Sequence, residues 1–250
     1  MRSCFLALER RRVRYLLISG QAAVLYGAST FSEDVDIWVA ASASNWSRLL
    51  LALADCDARV YKLTPPLKLA YARRGHGFHF TIPPDDAGDP PGYFDVRAVV
   101  PRCGPFAACY RRARRFDTAW GSLPVLHPAD LARIKRTRRL ADYDTIATLA
   151  RIESDHDRSR RTWRWAMDNT FDAEARRSLW TSAPSAWRRG LRAPIMTAAG
   201  VANALERGRQ ADRSYWQAII AELKALDRRK ALVPEGTPVR DWRRDRPAGQ

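Results

Sequence analysis

The chain has 250 residues, room for one large domain or two modest ones, and its 46% hydrophobic content is ordinary for a globular protein. Its 43 Lys/Arg against 27 Asp/Glu give a net charge of +16, which suits a polyanionic partner. No apolar run approaches a membrane span, Phe5–Leu8 is too short for a signal peptide, and Cys4, Cys56, Cys103 and Cys109 lack zinc spacing. These features point to a cytoplasmic protein that does not enter membranes.

Tyr15–Ser19 is apolar and reads as a buried strand. Gly20 permits a tight turn, and Gln21 leads into a short helix-compatible run. A strand passing through a glycine turn into a helix N-terminus offers backbone N–H groups to phosphate. The next strand, Val35–Ala40, is entered through Asp34-Val35-Asp36, which begins fourteen residues after Gly20. Alternation puts Asp34 and Asp36 on one face, roughly 7 Å apart, and Val35, Ile37 and Val39 on the other. Adjacent carboxylates repel and are comfortable around a cation. Oxygen ligands of this kind suit Mg²⁺, which also coordinates substrate phosphates, so the pattern predicts metal-dependent phosphoryl transfer.

Trp46–Ala54 reads as a helix buried through Leu49, Leu50 and Leu53. Strands follow at Ala58–Leu63, Phe78–Ile82, Tyr93–Val100 and Ala119–Val125. The Pro/Asp/Gly-rich loop Pro83–Gly92 predicts a hairpin that carries Asp95, inside Phe94-Asp95-Val96, into the sheet. From Pro128 the pattern is helical, with Leu131, Ile134, Ile146, Leu149 and Ile152 at apolar spacing. Asp155–Arg161 is a charged junction. Helices are expected around Thr162–Met167, Ala173–Trp180, Ile195–Glu206 and Tyr215–Arg229, and Pro234–Gln250 reads as frayed or disordered. The expected fold class is α/β (α+β): a mixed-sheet core over residues 1–155, a basic, mostly helical region over 156–233 and a tail over 234–250.

Other chemistries find no frame. His76 and His79 would face opposite sides of a strand, no motif surrounds a nucleophilic Ser, and no Walker-type loop occurs.

Gly20-Gln21, twelve intervening residues, Asp34-Val35-Asp36-Ile37 and the later Phe94-Asp95-Val96 resemble the DNA polymerase β-like nucleotidyltransferase superfamily. Tyr26-Gly27-Ala28-Ser29, Asp130–Thr137 and Asp142-Tyr143-Asp144 extend the likeness to small bacterial nucleotidyltransferases that include toxin–antitoxin enzymes. The resemblance covers about residues 13–155. It implies that Asp34 and Asp36 bind two Mg²⁺ ions and that Asp95 joins them on the catalytic ion, helping to take the proton from an attacking hydroxyl. It also implies that Gly20 and Gln21 cradle the triphosphate of an NTP, with Lys135 as a counter-charge. The chain departs from the family at Gln21, where Gly or Ser is usual, and at Thr30, where many relatives have Arg. Both positions bear on triphosphate binding.

Residues 1–100 carry a net charge of +2 and residues 101–250 a net of +14, and six of nine Trp fall between Trp163 and Trp242. Arg and aromatic side chains together can stack on unpaired bases, which favours RNA, such as a tRNA 3′ end, as acceptor. A toxin with a cognate antitoxin follows from the resemblance alone. A small hydroxylated acceptor such as an aminoglycoside, or a catalytically silent binding module, are the alternatives.

Overall fold

In the computed structural model, which describes residues 1–191 and 197–242, the chain divides into two compact units. The first comprises Met1–Ala22, Phe31–His127 and Gln217–Gln250, and the second Ala23–Thr30 and Pro128–Trp216.

Along the chain the elements are α1 (Arg2–Arg10), β1 (Tyr15–Ile18), α2 (Ser19–Leu25), β2 (Asp34–Val39), α3 (Ala43–Asp55), β3 (Arg59–Val60), α4 (Leu69–Arg73), β4 (Gly77–Ile82), β5 (Gly92–Arg97), α5 (Phe106–Arg111), β6 (Arg114–Thr118) and β7 (Gly121–Val125). Helices α6 (Pro128–Ile134), α7 (Ala141–His156), α8 (Arg160–Asn169), α9 (Ala173–Ser182), α10 (Ser185–Arg188), α11 (Ala198–Arg228) and α12 (Val239–Trp242) complete it. The α/β expectation holds.

The first unit contains one seven-stranded mixed sheet in the order β3-β4-β5-β2-β1-β7-β6. β2 pairs with β5 in parallel and with β1 antiparallel, and β4 and β5 form the expected hairpin. Period-two alternation sorts the strands into two faces. Val35, Ile37, Phe78, Phe80, Ile82, Phe94 and Val96 lie on one face and are all buried. Helices α1 and α3 cover it. Phe5 of α1 meets Phe94 edge-on at 6.1 Å, and Trp46 of α3 meets Phe78 at 5.0 Å. Burying such rings contributes about 1.5–3 kcal/mol each. Trp46 also donates its indole N–H to the Leu67 carbonyl, and Ser42 caps α3 by accepting from the Asn45 N–H.

Some elements differ from the sequence reading. The sequence shows only an apolar patch at Phe5–Leu8, yet Cys4, Phe5, Ala7 and Leu8 fall on one helical stripe of α1. β6 is charged and forms the sheet's outer strand, where charge is tolerated because one side is open. β3 is shorter than expected because Lys62 turns the backbone to φ 60°. The stretch after Pro234, expected to be frayed, is held through Trp242. Val60 donates to the Thr237 carbonyl, Val239 donates to the Ala58 carbonyl, and the Val239 side chain is fully buried. This segment runs along the open edge of β3 and satisfies it. Residues 243–250 of the expected tail, and Ile195 and Met196 of an expected helix, lie outside the described residues.

In the second unit, Tyr143 and Ile146 of α7 pack with Ala132, Trp165, Phe171 and Leu205. A separate cluster joins Trp163, Met167 and Ala183 to Trp180 and Trp187. The two expected C-terminal helices are one, α11.

Candidate functional site

Opposite the apolar face, the same alternation collects polar side chains of the first unit. Registers across β4, β5, β2 and β1 align His79, Asp95, Asp36 and Ile18 in one row, and Thr81, Tyr93 and Asp34 in the next. Asp36 and Asp95 are Cα partners on adjacent parallel strands, whose backbones run ~4.8 Å apart. Asp34, two residues back on β2, shares their face. The structure therefore brings together the three carboxylates named from the sequence. Their oxygens are spread: among the described residues, no three ligand atoms on this face lie within 4.8 Å of one another.

Burial and the facing Asp95 push Asp36 up to about 6, opposed by Arg97 and by a hydrogen bond from Ser19. Asp34 is raised by burial and by Asp95, against the pull of Lys62. The charge of this face is therefore costly on its own terms. Three carboxylates on one face are an all-oxygen, hard-cation donor set, which fits Mg²⁺ by ligand type.

Asp95 has a fixed neighbour. Nδ1 of His79 lies 2.8 Å from Oδ1 of Asp95, and since a carboxylate only accepts, Nδ1 carries the proton. Arg97 lies one step along the same face and its guanidinium packs over Gly77; a Cβ there would sit 3.2 Å from an Arg97 nitrogen.

β1 runs directly into α2 without the glycine turn expected at Gly20, and the first residue of α2, Ser19, bears on Asp36. Ser19 adopts φ 61°, an uncommon backbone for a side-chain-bearing residue, and hydrogen-bonds Asp36. Gly20 is required by packing, because a Cβ would fall 2.1 Å from Ser32 Oγ. Gln21 donates its amide to the Ser32 carbonyl at 2.8 Å, and Ser32 Oγ donates to the Asp34 carbonyl at 3.1 Å. Gly20 and Gln21 thus fix the segment that delivers Asp34.

Thr30 and Lys135 belong to the second unit. Thr30 is exposed on the loop between α2 and β2. Lys135 is buried, and its ammonium donates to Asp142 Oδ1 at 2.9 Å. Burial alone would raise Asp142, yet Lys135, Thr137 and Arg139 outweigh it and hold the carboxyl below its usual range. Lys135 is therefore committed to a structural ion pair.

The sequence reading missed Ser19, His79 and Arg97. His79 had a signal: Phe78-His79-Phe80 has the same apolar–polar–apolar form as Phe94-Asp95-Val96 and lies in the partner strand of one hairpin. Ser19 had none, because its role depends on a turn conformation.

Compared with known proteins, the chain matches no family model and no curated sequence.

Proposed function

We propose that the chain is a Mg²⁺-dependent nucleotidyltransferase that moves a nucleoside monophosphate from an NTP to a hydroxyl acceptor. The observation that carries this reading is the Cα pairing of Asp36 with Asp95, with Asp34 on the same sheet face. The strand β1 running directly into helix α2, with Gly20 inside the helix and Ser19 rather than a glycine turn carrying the left-handed backbone, adds to the likeness with polymerase β-like enzymes.

Asp34, Asp36 and Asp95 would hold the metal, whose contribution is to neutralise charge on the transferring phosphoryl group and on the entering and leaving oxygens. The residues of the chain do the rest. Ser19 and the Gly20–Ser32 contact set the positions of Asp36 and Asp34, and His79 orients Asp95. Asp95, as a carboxylate, is the group placed to accept the proton of an attacking hydroxyl.

RNA is the favoured acceptor because the chain is strongly basic overall, and the tRNA 3′ end is the preferred form. A cytoplasmic toxin restrained by a cognate antitoxin is the biological setting that the resemblance suggests. A small hydroxylated polycation is the second reading, favoured by the concentration of carboxylates on this one face. The test is incubation with total RNA, Mg²⁺ and each α-labelled NTP in turn. Label on one RNA class, absent with Asp34→Ala, supports the first reading. Label on an aminoglycoside but on no RNA supports the second, and no label on either contradicts both.

A further inference from the structure

A second feature adjoins the carboxylates on the same sheet face. Tyr93 is the Cα partner of Asp34 on one side and of Thr81 on the other. Tyr61 continues β3 by one residue, donating its N–H to the His79 carbonyl at 2.7 Å, which brings it into the row of His79, Asp95 and Asp36. The two tyrosine rings lie 4.8 Å apart, tilted by 31°, and both are partly exposed. Lys62, exposed, sets its ammonium 4.7 Å from the Tyr61 ring and 5.9 Å from the Tyr93 ring.

Lys62 is held in an uncommon way. Its φ of 60° is left-handed, which is strained for lysine and needs support from its surroundings. That support is close by, since Thr64 is fully buried and its carbonyl accepts from Val233 at 3.0 Å. The Lys62 ammonium acts electrostatically on Asp34 and draws its carboxyl down. A cation set over two aromatic rings beside the carboxylate face is matched by a ligand that is both planar and negatively charged.

We propose that Tyr61, Lys62 and Tyr93 form a nucleotide seat, in which the tyrosine rings stack on the base and Lys62 takes a phosphate oxygen. The proposal rests on the nucleotidyl-transfer reading of the adjoining carboxylates and names the residues that grip its substrate. It assigns to Lys62 the counter-charge role that Lys135, paired with Asp142, does not fill. The nucleotide could be the incoming NTP or the last nucleotide of the acceptor, since both present a base and a phosphate.

Calorimetric titration of the full chain separates these sources. The probes are each NTP with Mg²⁺, inorganic tripolyphosphate with Mg²⁺, and a short single-stranded RNA. Base–aromatic stacking is worth about 1–3 kcal/mol, so Tyr93→Leu or Tyr61→Leu should weaken the base-bearing probe roughly tenfold or more. Tripolyphosphate binding should be unchanged in both, and Tyr93→Phe should bind as the wild type does. Lys62→Gln should weaken NTP and tripolyphosphate alike. Loss confined to the RNA places the acceptor's terminal nucleotide on the seat, and loss confined to the NTP places the donor there. Wild-type affinity for every probe in the Tyr→Leu and Lys62→Gln variants, each folded by circular dichroism, overturns the proposal, as does a wild-type protein that binds neither nucleotide nor RNA. Repeating the titrations in Asp34→Ala keeps the two readings apart, because seat-dependent binding there survives even where transfer is absent.

Discussion

At the residue scale, half-buried Asp36 and buried Lys135 show how differently a charge drawn out of water can be used. Asp36 sits near 6 against an ordinary 3.8, so the folded state binds its proton more tightly than the unfolded chain does. The sign follows: this group lowers stability as pH rises from about 4 to about 6, and the cost then stays constant, at roughly 3 kcal/mol by proton linkage. Asp36→Asn should therefore raise the urea midpoint of the metal-free protein at pH 8 and change it little at pH 4. Mg²⁺ at pH 8 should stabilise the wild type and not Asp36→Asn, and chelation should reverse the gain. Lys135 is the opposite case, a cation whose partner is buried. Lys135→Met leaves Asp142 with less of its compensation and should cost about 3–5 kcal/mol in denaturant unfolding. An unchanged midpoint with a raised KM for NTP would instead return Lys135 to the triphosphate.

At the level of elements, the site is made by registers. The sequence showed Asp34 and Asp36 on one face because alternation is local, and it showed Asp95 joining them because a turn-rich loop announced the β4–β5 hairpin. It did not show His79 as their neighbour, although the register Phe78↔Val96 forces His79 opposite Asp95. The helix α1 was illegible for another reason: nine residues with three charged ones are too short to read as an amphipathic helix before the sheet that covers Phe5 is known. The strand β6 failed because Arg114, Arg115 and Asp117 fit only an outer strand. Because Phe94 is completely buried between Asp95 and the α1 helix that packs on it, Phe94→Ala should cost about 3–5 kcal/mol and also lower transfer by shifting Asp95. Loss of stability without any loss of activity in the folded fraction would separate the core from the site.

For the whole molecule, charge and aromatic content say less about contacts than they did in the sequence. Tryptophans that could have stacked on RNA bases are partly spent on one another, with Trp163 5.8 Å from Trp180 and 6.0 Å from Trp187. What remains is the electrostatic expectation. Among the described residues no helix is long and apolar enough to cross a membrane, and the net charge is +16. RNA affinity should therefore fall steeply with salt, about 10³-fold between roughly 50 and 200 mM if six phosphates are contacted. A flat salt response in filter binding would contradict an RNA acceptor. The central claim is that the Asp34, Asp36 and Asp95 face performs transfer, and the most direct measurement is the Mg²⁺-dependent rate of nucleotide transfer by Asp36→Asn. This variant removes one carboxylate and should fold more stably than the wild type above neutral pH. The account predicts a well-folded protein with no detectable transfer, whereas transfer at the wild-type rate would contradict it.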